Sequence, residues 1–213
     1  SAASVFISLA TPPTHAGLSR PRTGDLRRLL ALPGIPQLLL AAALQWVCMS
    51  PYNLFFGAHV QHHGGDARTI GFSIGAAIVG EMLVMATAHR WLPRVAPRTV
   101  LTVSAAVGIG RWTATALGSP TLIVAAQSLH AFSFAAFYLS MTDAMVRRTP
   151  PELRGSAQSL LTAGGSGVGS LLGGLAAGPL YSLDHGRTLF LAAGAFSVLP
   201  ALAALAIPPL PRE

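Results

Sequence analysis

Residues Thr69–Ala88 read TIGFSIGAAIVGEMLVMATA, with Glu81 as their one charge. A helix rises about 1.5 Å per residue, so these twenty residues extend about 30 Å, the thickness of a bilayer's hydrocarbon core. The stretch therefore reads as a membrane span. Five further apolar segments of similar length flank it: Ile35–Phe56, Thr99–Leu117, Thr121–Met145, Ser156–Leu180 and Thr188–Ile207. Turn-like polar separators stand between them: Gly64-Gly65-Asp66, Pro93 to Pro97, Gly118-Ser119-Pro120, Pro150-Pro151-Glu152 and Asp184-His185-Gly186. The spacing predicts an all-α membrane protein with six transmembrane helices.

Composition agrees. Of the 213 residues 52% are hydrophobic and only 10% charged, and the mean hydropathy is +0.56. A soluble domain carries about a quarter charged residues, and disorder requires low hydrophobicity, so both classes are excluded. The single cysteine, Cys48, precludes a disulfide framework and a cysteine-only metal site. No metal and no cofactor is expected.

Upstream, Val5–Ala10 is apolar but too short to span, and it lacks the charged start of a signal peptide. Residues 1–10 read as the end of a preceding transmembrane helix, 11–34 as a basic cytoplasmic linker, 35–207 as the six-helix bundle and 208–213 as a cytoplasmic tail. The chain begins Ser1-Ala2-Ala3 without methionine, as a processed chain or a piece of a longer one would.

All fourteen basic residues are arginines, giving a formal charge of +7. Such a balance invites a nucleic-acid reading, but placement opposes it. If the spans cross in turn, one side holds eleven arginines: Arg20, Arg22, Arg27, Arg28, Arg90, Arg94, Arg98, Arg147, Arg148, Arg154 and Arg212. The other side holds Arg68 and Arg187, each with an aspartate close before it, and Arg111 lies inside a span. An arginine excess marks the cytoplasmic face. The expectation is a multi-pass protein of the cell membrane with both termini cytoplasmic and no nucleic-acid partner.

An ionisable side chain at the middle of a span costs roughly 2.5–3.5 kcal/mol or more, so each needs a reason. Glu81, Arg111 and His130 lie twelve, twelve and nine residues into their spans, all about 13–18 Å deep. Matched depth suggests that Glu81 pairs with Arg111 and that the three surround a polar cavity, with Glu81 as the natural proton carrier. The bland reading is a structural ion pair with a hydrogen-bonded core histidine. Gln45, Tyr52 and Asn53 share one face of the first span, which Pro51 should kink. Gln127, His130, Phe134 and Tyr138 form a stripe on the fourth. Substrate-lining faces and ordinary helix packing both fit these two stripes. Asp143, near its span's end, reads as a capping or loop partner.

In the fifth span Gly165, Gly169 and Gly173 repeat every four residues, and Gly174 and Gly178 add a second pair. Small residues at this spacing let helices approach closely. A dinucleotide fingerprint fails, because its third glycine would fall on Ser170. Gly164-Gly165-Ser166-Gly167 fits the G-x-S-G of rhomboid intramembrane proteases, but the serine needs a histidine within reach. His185 is about nineteen helical residues away, which leaves His130. An enzyme is not expected.

The ordered stretches Gly80-Glu81-Met82, Gly108-Ile109-Gly110-Arg111-Trp112 and Gln127-Ser128-Leu129-His130-Ala131-Phe132 resemble the C-terminal six-helix half of a major facilitator superfamily transporter, nearest the phenylpropionate and lactose permease branch of proton symporters. Arg90–Arg98 resembles the basic loop of that superfamily, and Pro151-Glu152-Leu153-Arg154-Gly155 the loop before the penultimate helix. The resemblance covers residues 30–207. It implies half of a twelve-helix fold, a missing N-terminal half as partner, and a substrate cavity between the halves. Glu81 matches a substrate-binding acid, and Arg111 and His130 match the proton-coupling arginine and histidine. Where the lactose permease pattern has a lysine and a glutamate, this chain has Gln127 and Ser133. The implied function is proton-coupled, alternating-access transport of a small organic solute (aromatic acid, sugar or nucleoside) across the bilayer, with Glu81, Asn53, Tyr52, Gln45, Gln127 and Tyr138 as substrate residues and Glu81, Arg111 and His130 coupling the proton. A non-transporting membrane module is the alternative. Alone, 213 residues are not expected to transport.

Overall fold

The structure, a computed structural model, describes residues 23–209. The expected end of a preceding helix, the linker's first half, and the last four residues with Arg212 lie outside them. A short helix, α1 (Thr23–Leu30), precedes six long ones: α2 (Ile35–His62), α3 (Ala67–Trp91), α4 (Pro97–Ala116), α5 (Pro120–Arg148), α6 (Pro151–Asp184) and α7 (Arg187–Leu205). No strand occurs among the described residues. Five of the six are long and apolar enough to cross a membrane. The sixth, α4, is 20 residues long and less apolar because it carries Arg111 and several threonines. The largest boundary difference is in α2, which runs six residues past the expected Phe56, through Ala58-His59-Val60, to His62. The linker is also partly helical, and α1 buries Leu29.

Local chemistry sets the ends. Pro97 and Pro120 open α4 and α5, where a missing N–H is harmless. Asp66 caps α3 by accepting from Thr69 N at 2.8 Å. Between α6 and α7 the chain reverses through His185 and Gly186, the latter at φ 109°, a conformation that favours glycine. Both α5 and α6 contain a π-helical segment, Ala131–Ala136 and Leu161–Gly167.

Two ends of the bundle are distinguishable. Loop 92–98, the end of α5 and Pro208–Pro209 meet at one end, where Arg148 donates to Pro208 O at 2.6 Å. Ser156, at the start of α6, donates to Asp25 of α1. Loops that should share a side therefore do so. His59, His63, Gly118 and Gly186 gather at the other end. The arginine-side core packs Leu38, Leu101, Phe137, Met141 and Ala204. A second cluster joins Met49, Trp112 and Phe190.

The glycine repeat divides in two. A Cβ at Gly165 would approach Ala42 Cβ to 3.0 Å, one at Gly169 would approach Trp46 Cβ to 2.7 Å, and one at Gly173 would approach Ser50 Cβ to 2.7 Å. These three form the seam of α6 against α2. Gly174 would meet only Leu54 at 3.6 Å, and Gly178 would meet nothing within 4 Å. The second pair therefore makes no close helix approach among the described residues: its one neighbour is the end of the Leu54 side chain on α2. In contrast, α3 buries only Ser73 and Ala77 and turns Phe72, Val79 and Met82 outward. An apolar face of this kind belongs against lipid or another protein surface.

Candidate functional site

The mid-depth ionisable residues come together between α2, α3, α4 and α5. Glu81 of α3 reaches across to α5, and its Oε1 lies 2.6 Å from His130 Nε2. A separation this short holds one proton between the two groups, as an imidazolium N–H donating to carboxylate or as a carboxylic O–H donating to neutral imidazole. The Glu81 side chain is 23% exposed and the His130 side chain 5%, so the pair has one accessible edge.

Arg111 does not pair directly with Glu81, contrary to the depth argument. It is fully buried and donates from Nη2 to Gln127 Oε1 at 3.0 Å and from Nη1 to Ser133 Oγ at 3.4 Å. The guanidinium also lies 4.1 Å from the Trp112 ring centroid and 4.8 Å from that of Tyr52. Rings at this distance attract a cation through their quadrupoles. Gln127 and Ser133 are the two positions that depart from the lactose permease pattern. Here both serve as neutral acceptors for the arginine.

Gln45 is buried, and its Nε2 donates to Ser133 O at 2.7 Å. It therefore holds the π segment that follows His130. Tyr52 stacks near the imidazole, centroids 5.1 Å apart, and touches both the cation and the histidine. Asn53, one residue on, is exposed. On α5 the stripe is a ladder of rings: His130 to Phe134 at 5.3 Å and Phe134 to Tyr138 at 6.2 Å, both stacked. Tyr138 is at its exposed end. Gln127, expected to face substrate, is fully buried and bound to Arg111. Glu81, Tyr52 and Tyr138 present the accessible part of the site, with Gln45, Gln127 and Ser133 behind them, and Asn53 takes part in none of these contacts.

Residues not singled out in the sequence are Met49 and Trp46. Met49 Sδ lies 3.6 Å from Arg111 Nη1, and Trp46 meets Phe134 edge-on at 5.6 Å. Both sit near Gln45 on α2, one of them a single turn away, a signal that helical spacing alone could have supplied. Asp143 pairs with Arg147 one turn later at 2.7 Å, as its position suggested. Ser166 Oγ donates to Thr162 O at 2.7 Å, and no histidine bonds to it among the described residues. No cluster of three or more metal-ligating side chains occurs among them either.

A solved neighbour has this arrangement of helices. The crystal structure of the nucleoside transporter NupG, in a mutant form, superposes with a TM-score of 0.74 at 21% sequence identity, over 97% of this chain and 58% of that one. The chain thus spans less than two thirds of that structure, as one half of a major facilitator fold does. No curated protein matches it. The sequence matches the MFS_1 like family over residues 10–192. This chain, with its six-helix bundle and its Glu81–His130–Arg111 cluster, belongs to that family, within the major facilitator superfamily.

Proposed function

We propose that this chain works as the C-terminal half of a secondary transporter that carries a small organic solute through the cell membrane, coupled to protons, by alternating access. The observation that carries the reading is the 2.6 Å Glu81–His130 contact between two apolar, span-length helices, with a buried Arg111 beside it and one edge open. Ionisable groups held within membrane-spanning helices are the usual parts of a proton relay or substrate site. The shared proton can leave when the open edge meets water on one side, and a carboxylate is then available to a substrate hydroxyl or amine. Arg111 has neutral acceptors for two of its donor groups and so remains an uncancelled positive field near that carboxylate.

The stacked rings of His130, Phe134 and Tyr138, with Tyr52 opposite, favour a solute with a planar ring. Aromatic acids fit this, as do nucleosides, on which the solved neighbour acts; sugars fit through the carboxylate. The resemblance to phenylpropionate and lactose permeases supports the same class. The partner surface is the missing N-terminal half, against which the outward residues of α3 far from the arginine-rich end, such as Phe72 and Val79, would pack. The arginine-rich end faces the cytoplasm, and with it both termini.

The test is uptake by the full-length protein over a panel of the three solute classes, with and without a pH gradient. Glu81→Gln and Arg111→Lys should each reduce gradient-driven uptake at least tenfold while leaving membrane insertion intact; lysine cannot reproduce the forked donation to Gln127 and Ser133. Parent-like uptake by both variants would reduce the cluster to a packing element.

A further inference from the structure

At the arginine-rich end two hollows meet at Val95. The first, about 430 Å³, is a crevice between α3, α4 and α5, walled by Leu83, Val84, Val100, Val103 and Phe132. Its polar groups on α3 are satisfied internally: Thr87 Oγ1 donates to Leu83 O at 2.8 Å and Trp91 Nε1 to Val84 O at 3.4 Å. The walls therefore present mainly carbon. The second hollow, about 280 Å³, is lined by Arg94, Arg98, Arg147 and Arg148. Asp143 pairs with Arg147, and no other ion pair involves these four among the described residues. Arg94 and Arg98 are exposed at its rim.

The two hollows match one molecule in depth and charge. Along α3 the crevice runs from Leu83 to Trp91, about 12 Å at 1.5 Å per residue. One leaflet of the hydrocarbon core is about 15 Å deep. Trp91 stands where the crevice gives way to the arginines, and tryptophan favours the boundary between chains and headgroups. A basic pocket on the arginine-rich side of a bundle suits a phosphate headgroup. A soluble anion would fill only the second hollow and leave the apolar crevice open.

We infer that these joined hollows bind one anionic phospholipid of the leaflet on the arginine-rich side, with an acyl chain in the crevice and its phosphate against Arg94 and Arg98. The inference rests on the chain spanning a bilayer and not on what it transports. The site begins two residues beyond Glu81 and shares Phe132 with the turn that follows His130, so an occupied crevice also packs against the element that holds the proton pair.

The full chain, purified in mild detergent, is titrated with palmitoyl-oleoyl phosphatidylglycerol and with phosphatidylcholine of the same chains. Retained lipid is read by native mass spectrometry. Phosphatidylglycerol should be retained more tightly. Each exposed arginine near a headgroup contributes roughly a fivefold gain in binding, so R94Q/R98Q together should weaken phosphatidylglycerol roughly 25-fold and phosphatidylcholine little. Val103→Trp, which fills the crevice, should weaken both lipids, and glycerophosphate at millimolar concentration should displace neither. Equal retention of the two lipids by the parent overturns the proposal. So does parent-like phosphatidylglycerol binding by R94Q/R98Q, whose exposed positions leave the fold intact, and displacement by glycerophosphate would reassign the arginines to a soluble anion.

Discussion

Gly173→Ala should force α2 and α6 apart, and the structure sets how far. The added Cβ would lie 2.7 Å from Ser50 Cβ and 2.8 Å from Val47 O, and would also strike Ser50 Oγ. The hydroxyl can rotate away, but the other two atoms move only with the helix. Val47 O is moreover the carbonyl that Pro51, four residues on, leaves without its intrahelical donor. Ordinary contact begins at 3.4 Å, so going from 2.7 to 3.4 Å requires a displacement of about 0.7 Å. Gly165 and Gly169 sit on the same seam, so the shift loosens contacts over more than two turns. Overpacking of this kind costs about 1–3 kcal/mol, or roughly 3–10 °C in melting temperature for a chain of this size. Cys48, the single cysteine, is 1% exposed and lies on α2 beside this seam. A thiol-reactive fluorophore therefore reports unfolding of the purified protein on heating. Gly178→Ala is the control: its Cβ meets nothing within 4 Å, and alanine favours a helix over glycine by about 1 kcal/mol. Should the two variants melt together, α6 does not lie on α2 through this glycine row.

At the opposite end of the bundle, His59 is fully buried and its ring nitrogens reach Thr115 O at 2.9 Å and His185 O at 3.0 Å. His59→Leu should lower stability by about 1 kcal/mol in the same melt, since the one N–H of the neutral ring can donate to only one of these carbonyls and that bond is lost. The two hydrogen bonds from Thr69 hold the Asp66 carboxyl below its ordinary value of 3.8. Its capping contribution is therefore complete above that value and lost as pH falls through the lower folded one, so Asp66→Ala should melt below the parent at pH 7, with the gap closing in strong acid.

The level of a residue along the bundle is legible in the sequence, but its direction around each helix is not. Counting residues from the span ends put Glu81, Arg111 and His130 at one level because rise is linear in residue number. Each residue also turns the chain by about 100°, so an uncertainty of two residues at a boundary leaves depth nearly unchanged and says nothing about which neighbour is faced. Charge alone accordingly matches Glu81 to Arg111, while the fold gives it His130. Gln127 reads as a substrate-facing member of its stripe and Ser133 only as a missing charge, whereas in three dimensions both are the acceptors that bind the guanidinium. The glycines show the same limit: two rows of equal spacing read alike, and only the position of α2 selects Gly165, Gly169 and Gly173. His59 escaped notice because Ala58 to His63 reads as the polar end of a span, and its partners are backbone atoms 56 and 126 residues away. In α5 the difficulty is sharper. A spacing rule tuned to 3.6 residues per turn aligns His130, Phe134 and Tyr138, yet Ala131–Ala136 is π-helical, with hydrogen bonds one residue longer. That register change directly follows the histidine, and Gln45 secures it from α2 through Ser133 O. The orientation of the Glu81–His130 pair thus depends on a backbone irregularity that no count of apolar positions contains, and Gln45, read from its helix face as a substrate contact, acts here by holding that irregularity in place.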